Sequence, residues 1–299
     1  MRAVVFDSYG PPDVLHTAEV AEPTPAPGRV RIRVRAAGVN PFDYKQRSGM
    51  MSRGAALEAP VVPGLEAAGV VDAVGEGVEG VAVGDEVFGL GRATYAEQAV
   101  LRAWAPLPAG LGFTDAAALS VAGETTIRML DVLRPAPGAT VLVHGAAGGV
   151  GQAAVQIAVA NGLRVIGTAS THNHDWLREL GAEPVAYGEG LVERVRALAP
   201  DGVDGVLDTA GSQLDDLIAI AGSPAKVVTI ANYTAAERGV HVTGGGGDAS
   251  AALATVAGLA ASGRLRVRVV RTLPLEQAAE AHTLSEARSS GGKIVLTVS

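Results

Sequence analysis

The chain has 299 residues, 48% of them hydrophobic and 18% charged, with a formal net charge of −7 and no cysteine. That length and apolar content suffice for two domains with sizeable cores. The acidic balance, with no Lys/Arg cluster, argues against nucleic acid as a partner, and the missing cysteines remove disulfides, cysteine-ligated zinc and a catalytic thiol. No window approaches the roughly 18 uninterrupted apolar residues of a membrane span. Met1–Phe6 reads as a strand, without the apolar stretch of a signal peptide. A soluble, cytoplasmic protein with no membrane partner is the expectation.

Residues 1 to about 115 read as a β-rich domain. Arg2–Asp7 opens it as a strand, and Ser8–Pro12 turns the chain. Glu22–Gly28 is Pro-rich and extended. Val30–Ala36 alternates apolar residues with Arg31, Arg33 and Arg35, the period of a half-buried strand with a wet, basic face. Gly69–Gly75, Asp85–Gly89 and Tyr95–Val100 are further strands between glycine turns, and their spacing suggests a partly open barrel. From Thr114 the period changes. Thr114-Asp115 reads as an N-cap for a helix over Ala116–Ala122, and a second helix covers Thr125–Leu133. Pro135–Gly138 breaks the chain before the strand Thr140–His144.

After that strand, helices and strands alternate, as in a parallel, doubly wound sheet. A helix runs to about Asn161, then come the strand Leu163–Thr168, a helix over Asp175–Leu180 and a short strand Pro184–Ala186. Leu191–Leu198 is helical, a strand lies within Gly202–Thr209, Leu214–Ile220 is helical, and Ala225–Ile230 and Val240–Thr243 are strands. Gly244–Gly247 reads as a hinge or turn. The tail offers a helix (Ala249–Ser262), a strand (Leu265–Val270), a helix (Leu275–Ser289) and a closing strand (Lys293–Val298). The division expected is 1–115, 116–248 and 249–299, the last returning to the first.

The stretch with most chemistry is Thr140-Val141-Leu142-Val143-His144-Gly145-Ala146-Ala147-Gly148-Gly149-Val150-Gly151. Strand, glycine turn and helix form the setting in which a glycine fingerprint means dinucleotide binding. Ala146–Gly151 reads A-x-G-x-x-G, with alanine where the first glycine is usual. Backbone at Ala147, Gly148, Gly149 and Val150 would meet a pyrophosphate at the helix start. About 20 residues further on, where a carboxylate would bind the ribose 2′-OH of NAD, the chain offers Thr168-Ala169-Ser170-Thr171-His172-Asn173-His174. No acid precedes Asp175. Ser170, Thr171 and Asn173 can donate to a 2′-phosphate that a carboxylate would repel, so NADP(H) is expected over NAD(H). Either imidazole would take a proton more readily beside that phosphate.

Taken together, Ala37–Asp43, Pro63–Val71, Val74–Val78, the glycine stretch, Leu180-Gly181-Ala182, Asp204–Thr209 and Gly292–Leu296 make the whole chain resemble the zinc-independent quinone oxidoreductase branch of the medium-chain dehydrogenase/reductase superfamily. The resemblance implies an α/β fold: a GroES-like β-rich catalytic domain split by a Rossmann domain, a cleft between them, and a homodimer. It also implies that Tyr187 lies near the adenosine phosphate. Asp208, Thr209 and Ala210, with Ile230 and Ala231, would line the nicotinamide side. Relatives use the equivalent of Asn40 near the nicotinamide ribose. On the catalytic domain Lys45 would hold ribose hydroxyls or deliver a proton, unless it is a solvated surface lysine. Tyr44 is a candidate proton donor or a packing residue. Asp43, Glu66 and Glu124 read as structural.

Where the zinc branch has His, position 65 is Leu, and no metal ligand set is expected. Without a Lewis acid, the substrates implied are small molecules whose acceptor is already activated: quinones or α,β-unsaturated carbonyls. Two alternatives stand beside an NADPH-dependent reductase of these. One is an enone or enoyl reductase of a biosynthetic pathway, although Met50-Met51 stand where mitochondrial-type enoyl reductases carry a tyrosine donor. The other is a nucleotide-binding protein without turnover.

Overall fold

The computed structural model describes residues 1–52, 54–287 and 291–299. They divide into two units: Met1–Val121 with Ala249–Ser262 and Val267–Ser299, and Ala122–Asp248 with Gly263–Arg266. The chain runs through β1 (Arg2–Val5), β2 (His16–Glu19), β3 (Val30–Val39), α1 (Pro41–Arg47), β4 (Glu66–Val74), β5 (Glu86–Arg92), β6 (Gln98–Pro106) and α2 (Phe113–Ala116). It leaves the first unit along α3 (Ser120–Leu133). There follow β7 (Thr140–His144), α4 (Gly149–Ala160), β8 (Arg164–Thr168), α5 (His174–Glu179), β9 (Glu183–Val185), α6 (Leu191–Leu198), β10 (Gly205–Asp208), α7 (Leu214–Ala221), β11 (Val227–Thr229) and β12 (His241–Val242). Then α8 (Ala249–Ala261), β13 (Val269–Pro274), α9 (Ala278–Glu286) and β14 (Lys293–Thr297) complete it.

In the first unit, β3 carries the alternation expected of it. Val30, Ile32 and Val34 are buried, while Arg33 and Arg35 face solvent. Arg31 is drawn to the carboxylate of Asp72 on β4, 2.9 Å away. The sheet order is β13-β14-β3-β4-β5-β6, and β6 pairs back onto β3, so these last four strands close on themselves. Closure leaves no free edge among them. Val30, Ile32, Val71, Val87, Tyr95 and Leu101 fill the inside.

The second unit is a six-stranded sheet in the order β12-β11-β10-β7-β8-β9, with every neighbouring pair parallel. Counted from β7, this is the Rossmann order, in which the strand sequence reverses beside the first strand. Val141, Leu142 and Val143 are wholly buried, as a strand covered on both faces requires. The reversal sets the carboxyl ends of β7 and β10 side by side, with His144 level with Asp208.

Several expected boundaries moved, each for a traceable reason. The helix read over Ala116–Ala122 is two pieces. Gly112, not Thr114-Asp115, caps α2, and the chain then turns tightly, Leu119 N–H donating to the Ala116 carbonyl at 3.0 Å. The next helix starts at Ser120, where the Glu66 carboxylate accepts from Val121 N–H at 2.6 Å. The strand read over Leu265–Val270 begins only at Val269. At Arg266 the side chain of Gln156 takes the place of a neighbouring strand, accepting from Arg266 N–H (3.0 Å) and donating to its carbonyl (2.7 Å). The Tyr95–Val100 strand lies three residues later, because Tyr95 bonds outside the ladder, to Val4 and Pro63. The last helix runs only over Ala278–Glu286, and Ser289, where the sequence reading ended it, lies outside the described residues.

Candidate functional site

The glycine turn of the second unit is fixed from three sides. Gly145 adopts φ 82°, the left-handed conformation that L side chains resist. Its N–H donates to the Thr168 hydroxyl at the end of β8 (3.0 Å), and the N–H of Ala146 donates to the Thr168 carbonyl (2.9 Å). The Thr209 hydroxyl, beyond β10, donates to the His144 carbonyl at 2.7 Å and reaches the Gly145 carbonyl at 3.2 Å. Gly151 has the close-packing role: a Cβ there would lie 2.2 Å from the Gly145 carbonyl oxygen. Ala146, standing where the first fingerprint glycine is usual, is fully buried, so the tight-turn role falls to Gly145.

Gly148 is different. It is exposed, and a Cβ there would meet nothing nearer than the Gly145 oxygen at 3.4 Å. Gly149, Val150 and Gly151 head the 12-residue α4, and first-turn N–H groups have no acceptor inside their own helix. They gather the positive end of the helix dipole at this surface.

His144 is buried at the end of β7, with Nδ1 2.9 Å from the Thr168 hydroxyl and Nε2 3.1 Å from Ser212 Oγ. Burial lowers its pKa, against an opposing pull from Asp208 and Asp216. Beside it, Asp208 is buried with its donors in place. One oxygen accepts from the N–H groups of Ala210 (3.0 Å) and Gly211 (2.8 Å), the other from the Thr229 hydroxyl (2.7 Å). Thr229 Oγ1 accepts in turn from Ala231 N–H and Asn232 N–H, each at 3.2 Å. A single carboxylate thereby shapes the loops after β10 and β11. Gly211 packs so closely that a Cβ would sit 2.9 Å from that of Ala231. Asp208, Thr209, Ala210 and Ala231 are thus one connected set, and Ile230 N–H joins it through the Asp208 carbonyl at 3.2 Å.

The loop after β8 forms a small polar cluster. Asn173 is buried, and its Nδ2 donates to Ser170 Oγ (3.2 Å) and lies 3.1 Å from His172 Nε2. Thr171 and His172 are exposed. His174 Nε2 is taken up by the Ala169 carbonyl at 3.2 Å. Tyr187 projects from the loop after β9, 56% exposed. Gln213 holds that loop by accepting from Gly188 N–H (2.9 Å) and donating to its carbonyl (3.2 Å).

In the first unit, the polar residues at the start of α1 form a buried cluster. Lys293 on β14 donates to Glu66 Oε1 at 2.5 Å and to Asn40 Oδ1 at 2.7 Å. Asn40 Nδ2 donates to the same Glu66 oxygen at 2.9 Å. The amide expected to turn toward a ribose is therefore engaged at both ends, because a buried ammonium needs acceptors. Gly38 makes room for this pair: a Cβ there would lie 2.4 Å from Glu66 Oε1. Asp43 caps α1, accepting from Asn40 N–H and from the Tyr95 hydroxyl, both at 2.9 Å. Burial pushes its carboxyl up to about 7 and the Tyr95 phenol above its usual range. His282 stands edge-on to Tyr95 at 5.8 Å; burial, with the nearby Arg47 charge, lowers its imidazole to about 3. Tyr44 and Lys45 are both buried, so the solvated reading of Lys45 does not hold.

Lys293, Thr168, Thr229 and Tyr95 were not singled out by sequence reasoning. Lys293 did leave a signal, as a lone charge in the otherwise apolar closing strand. Among the described residues, no three His, Asp or Glu side chains gather as a metal site, and no helix is long and apolar enough to cross a membrane.

Two family models match the chain: the alcohol dehydrogenase GroES-like domain over residues 26–109 and the zinc-binding dehydrogenase domain over residues 180–296. Rat quinone oxidoreductase is 36% identical over 241 residues, covering 77% of this chain and 73% of that protein. The chain belongs to the quinone oxidoreductase branch of the medium-chain dehydrogenase/reductase superfamily. Within that superfamily the rat synaptic vesicle membrane protein VAT-1 homolog is 40% identical over 220 residues, 71% of this chain and 54% of the relative. The chain thus spans about half the length of those VAT-1 relatives. Among solved structures, an NAD-dependent alcohol dehydrogenase matches at a TM-score of 0.86, 33% identical with 100% of both chains covered. A mycobacterial protein solved with NADPH matches at 0.84, 29% identical, again with 100% of both chains covered. The chain accordingly carries the GroES-like domain and the Rossmann sheet of this superfamily.

Proposed function

We propose that the chain is an NADPH-dependent reductase passing hydride to quinones or α,β-unsaturated carbonyls without a metal. The observation that carries the nucleotide half is the open face of Gly148, where a Cβ meets nothing nearer than 3.4 Å at the head of α4. A pyrophosphate can approach the N–H groups there without displacing protein. Ala147, Gly148, Gly149 and Val150 would hold it, and Tyr187 would lie along the adenosine phosphate. Asp208, Thr209, Ala210, Ile230 and Ala231 would line the nicotinamide side as backbone, since the Asp208 carboxylate is already served by two N–H groups and a hydroxyl.

The choice of NADPH rests on this chain's own loop, because one structural neighbour is named NAD-dependent and another was solved with NADPH. Ser170, Thr171 and Asn173 offer donors and no carboxylate, which suits a 2′-phosphate.

The bound nicotinamide supplies hydride. Lys293 and Glu66 fix Asn40 at the start of α1, the helix that also carries the buried Tyr44 and Lys45. We assign these two the contacts with the ribose and the proton that the reduced acceptor takes up. Leu65 and the missing cysteines leave no zinc ligand set to polarise an alcohol, which favours acceptors already activated by conjugation. We include a cytoplasmic location and a homodimer in the proposal, the dimer on the family resemblance alone. Sedimentation of the purified chain at twice its monomer mass tests it.

The test of function mixes the protein with NADPH and a panel of quinones, enones and enoyl thioesters, and follows nicotinamide absorbance. Quinone or enone turnover is expected. Turnover confined to enoyl thioesters would favour a biosynthetic enoyl reductase, and binding without turnover a nucleotide-binding protein.

A further inference from the structure

We propose that Arg128 is a positioning residue for the nicotinamide half: through Thr243 it holds the carboxyl end of β12, and with it the loops after β10 and β11, where the ring needs them. The proposal rests on the nucleotide reading above and adds to it a residue of α3 that acts through others.

The guanidinium is oriented by its own helix before it reaches Thr243. One turn earlier on α3, the Glu124 carboxylate accepts from Nε at 3.0 Å and from Nη2 at 3.3 Å. This is a two-point match of fork to carboxylate that a lysine cannot make. Nη2 also donates to Thr125 Oγ1 at 3.2 Å. The two charged side chains are only 12% and 10% exposed, so the pair is held largely away from water. The remaining nitrogen, Nη1, donates to Thr243 Oγ1 at 2.7 Å, a partner 115 residues away and the shortest of these contacts. A guanidinium carries donors only, so the direction of every one of these bonds is settled.

Thr243 is the last side chain before the run Gly244–Gly247, and β12 itself is two residues long. Glycine has the most backbone freedom to lose, and the run carries no side chain by which it could be held. Thr243 is therefore the handle for the chain as it leaves β12. Its N–H donates to the Thr229 carbonyl at 3.1 Å. The Thr229 hydroxyl in turn donates to Asp208 and accepts from the N–H groups of Ala231 and Asn232. A continuous set of directed bonds thus leads from α3 across the ends of β12, β11 and β10. Two residues before Arg128, the wholly buried Thr126 has its hydroxyl 2.8 Å from the Ala122 carbonyl and 3.4 Å from the carbonyl of Val150 in the first turn of α4. The sheet is parallel throughout, so the head of α4 and the end of β12 lie along one carboxyl edge. One helix, α3, contacts both.

The test uses the whole chain and two ligands that differ only in the nicotinamide: NADPH and 2′-phospho-ADP-ribose, with affinities read by titration calorimetry. Thr243→Val leaves the Glu124–Arg128 pair intact and removes only its far acceptor. It is expected to bind NADPH about tenfold more weakly, the effect of losing one hydrogen bond to a charged group, and 2′-phospho-ADP-ribose as the unaltered chain does. Arg128→Lys, which keeps a charge beside Glu124 but not the fork, should show the same selective loss. Thr243→Ser, which keeps the hydroxyl, should restore NADPH affinity. NADH and ADP-ribose form a second pair that reads the same difference if the chain prefers the cofactor without a 2′-phosphate. Equal losses for the two members of a pair in Thr243→Val, or no loss for either, would overturn the proposal while leaving nucleotide binding intact. So would a Thr243→Ser protein as weak as Thr243→Val. Failure of all four ligands to bind the unaltered chain would overturn it together with the nucleotide reading.

Discussion

Each unit has a buried carboxylate at its polar centre, and the two are satisfied in opposite ways. In the first unit Glu66 meets a full charge, Lys293, and a side-chain amide, Asn40, which lie 227 and 26 residues away. In the second, Asp208 meets two N–H groups two and three residues ahead of it and one hydroxyl on the adjacent strand. The charge pair ties distant strands together, so its loss is felt by the fold. The backbone-served carboxylate shapes two loops beside the glycine turn, so its loss is felt first where a nucleotide would lie.

The largest effect should follow Lys293→Met. It strands Glu66 at 0% exposure, and removing one partner of a buried pair costs about 3–5 kcal/mol. Urea unfolding measures this, and the double variant Lys293→Met with Glu66→Leu should regain most of it. A single variant as stable as the original would dissolve the contrast between the units. Asp208→Ala should cost less, about 1–3 kcal/mol for donors left unpaired. Unlike the lysine change, it should weaken NADPH binding in proportion greater than its shift in melting temperature.

A third prediction concerns pH and compares two residues of the first unit. Asp43 titrates near 7 when folded against 3.8 as its reference, so the folded state holds its proton more tightly and stability falls as pH rises from about 4 to 7. His282 runs the other way. Its folded value is about 3 against 6.5, so stability falls as pH drops from 6.5 toward 3. Over the shared window the slopes oppose each other. Asp43→Asn should leave a profile that loses stability toward acid, and His282→Phe one that loses stability toward alkali. Thermal melts at pH 4, 5, 6 and 7 read both, and parallel profiles in the two variants would refute the assignment.

The contrast between the units also explains what the sequence made legible. In the second unit β7 and α6 fell on the residues expected, Thr140–His144 and Leu191–Leu198, because a parallel strand is a contiguous apolar run and its helix follows within a few residues. The glycine turn was readable for the same local reason, although the tight-turn role proved to be Gly145's. In the first unit the decisive partners are remote. The start of α3 is set by Glu66, 55 residues away, and the Asn40 amide is turned by Lys293, 253 residues away. No window of sequence contains both members of such a pair, so Asn40 read as a residue free to reach a ligand. The same holds for Arg266, where a side chain 110 residues distant stands in for a strand.

The smallest effect on the fold and the largest on the ligand should coincide at Gly148. Its φ of −72° suits any L residue and a Cβ has room, so Gly148→Val should cost at most about 1 kcal/mol as an altered N-cap. Its side chain would occupy the approach to the head of α4. Titrating NADPH into both proteins by nicotinamide fluorescence, with melting curves alongside, is the direct measurement. A near-unchanged melt with affinity reduced about a hundredfold or more is the result expected if the pyrophosphate lies there; a Gly148→Val protein that binds NADPH as the original does would contradict it.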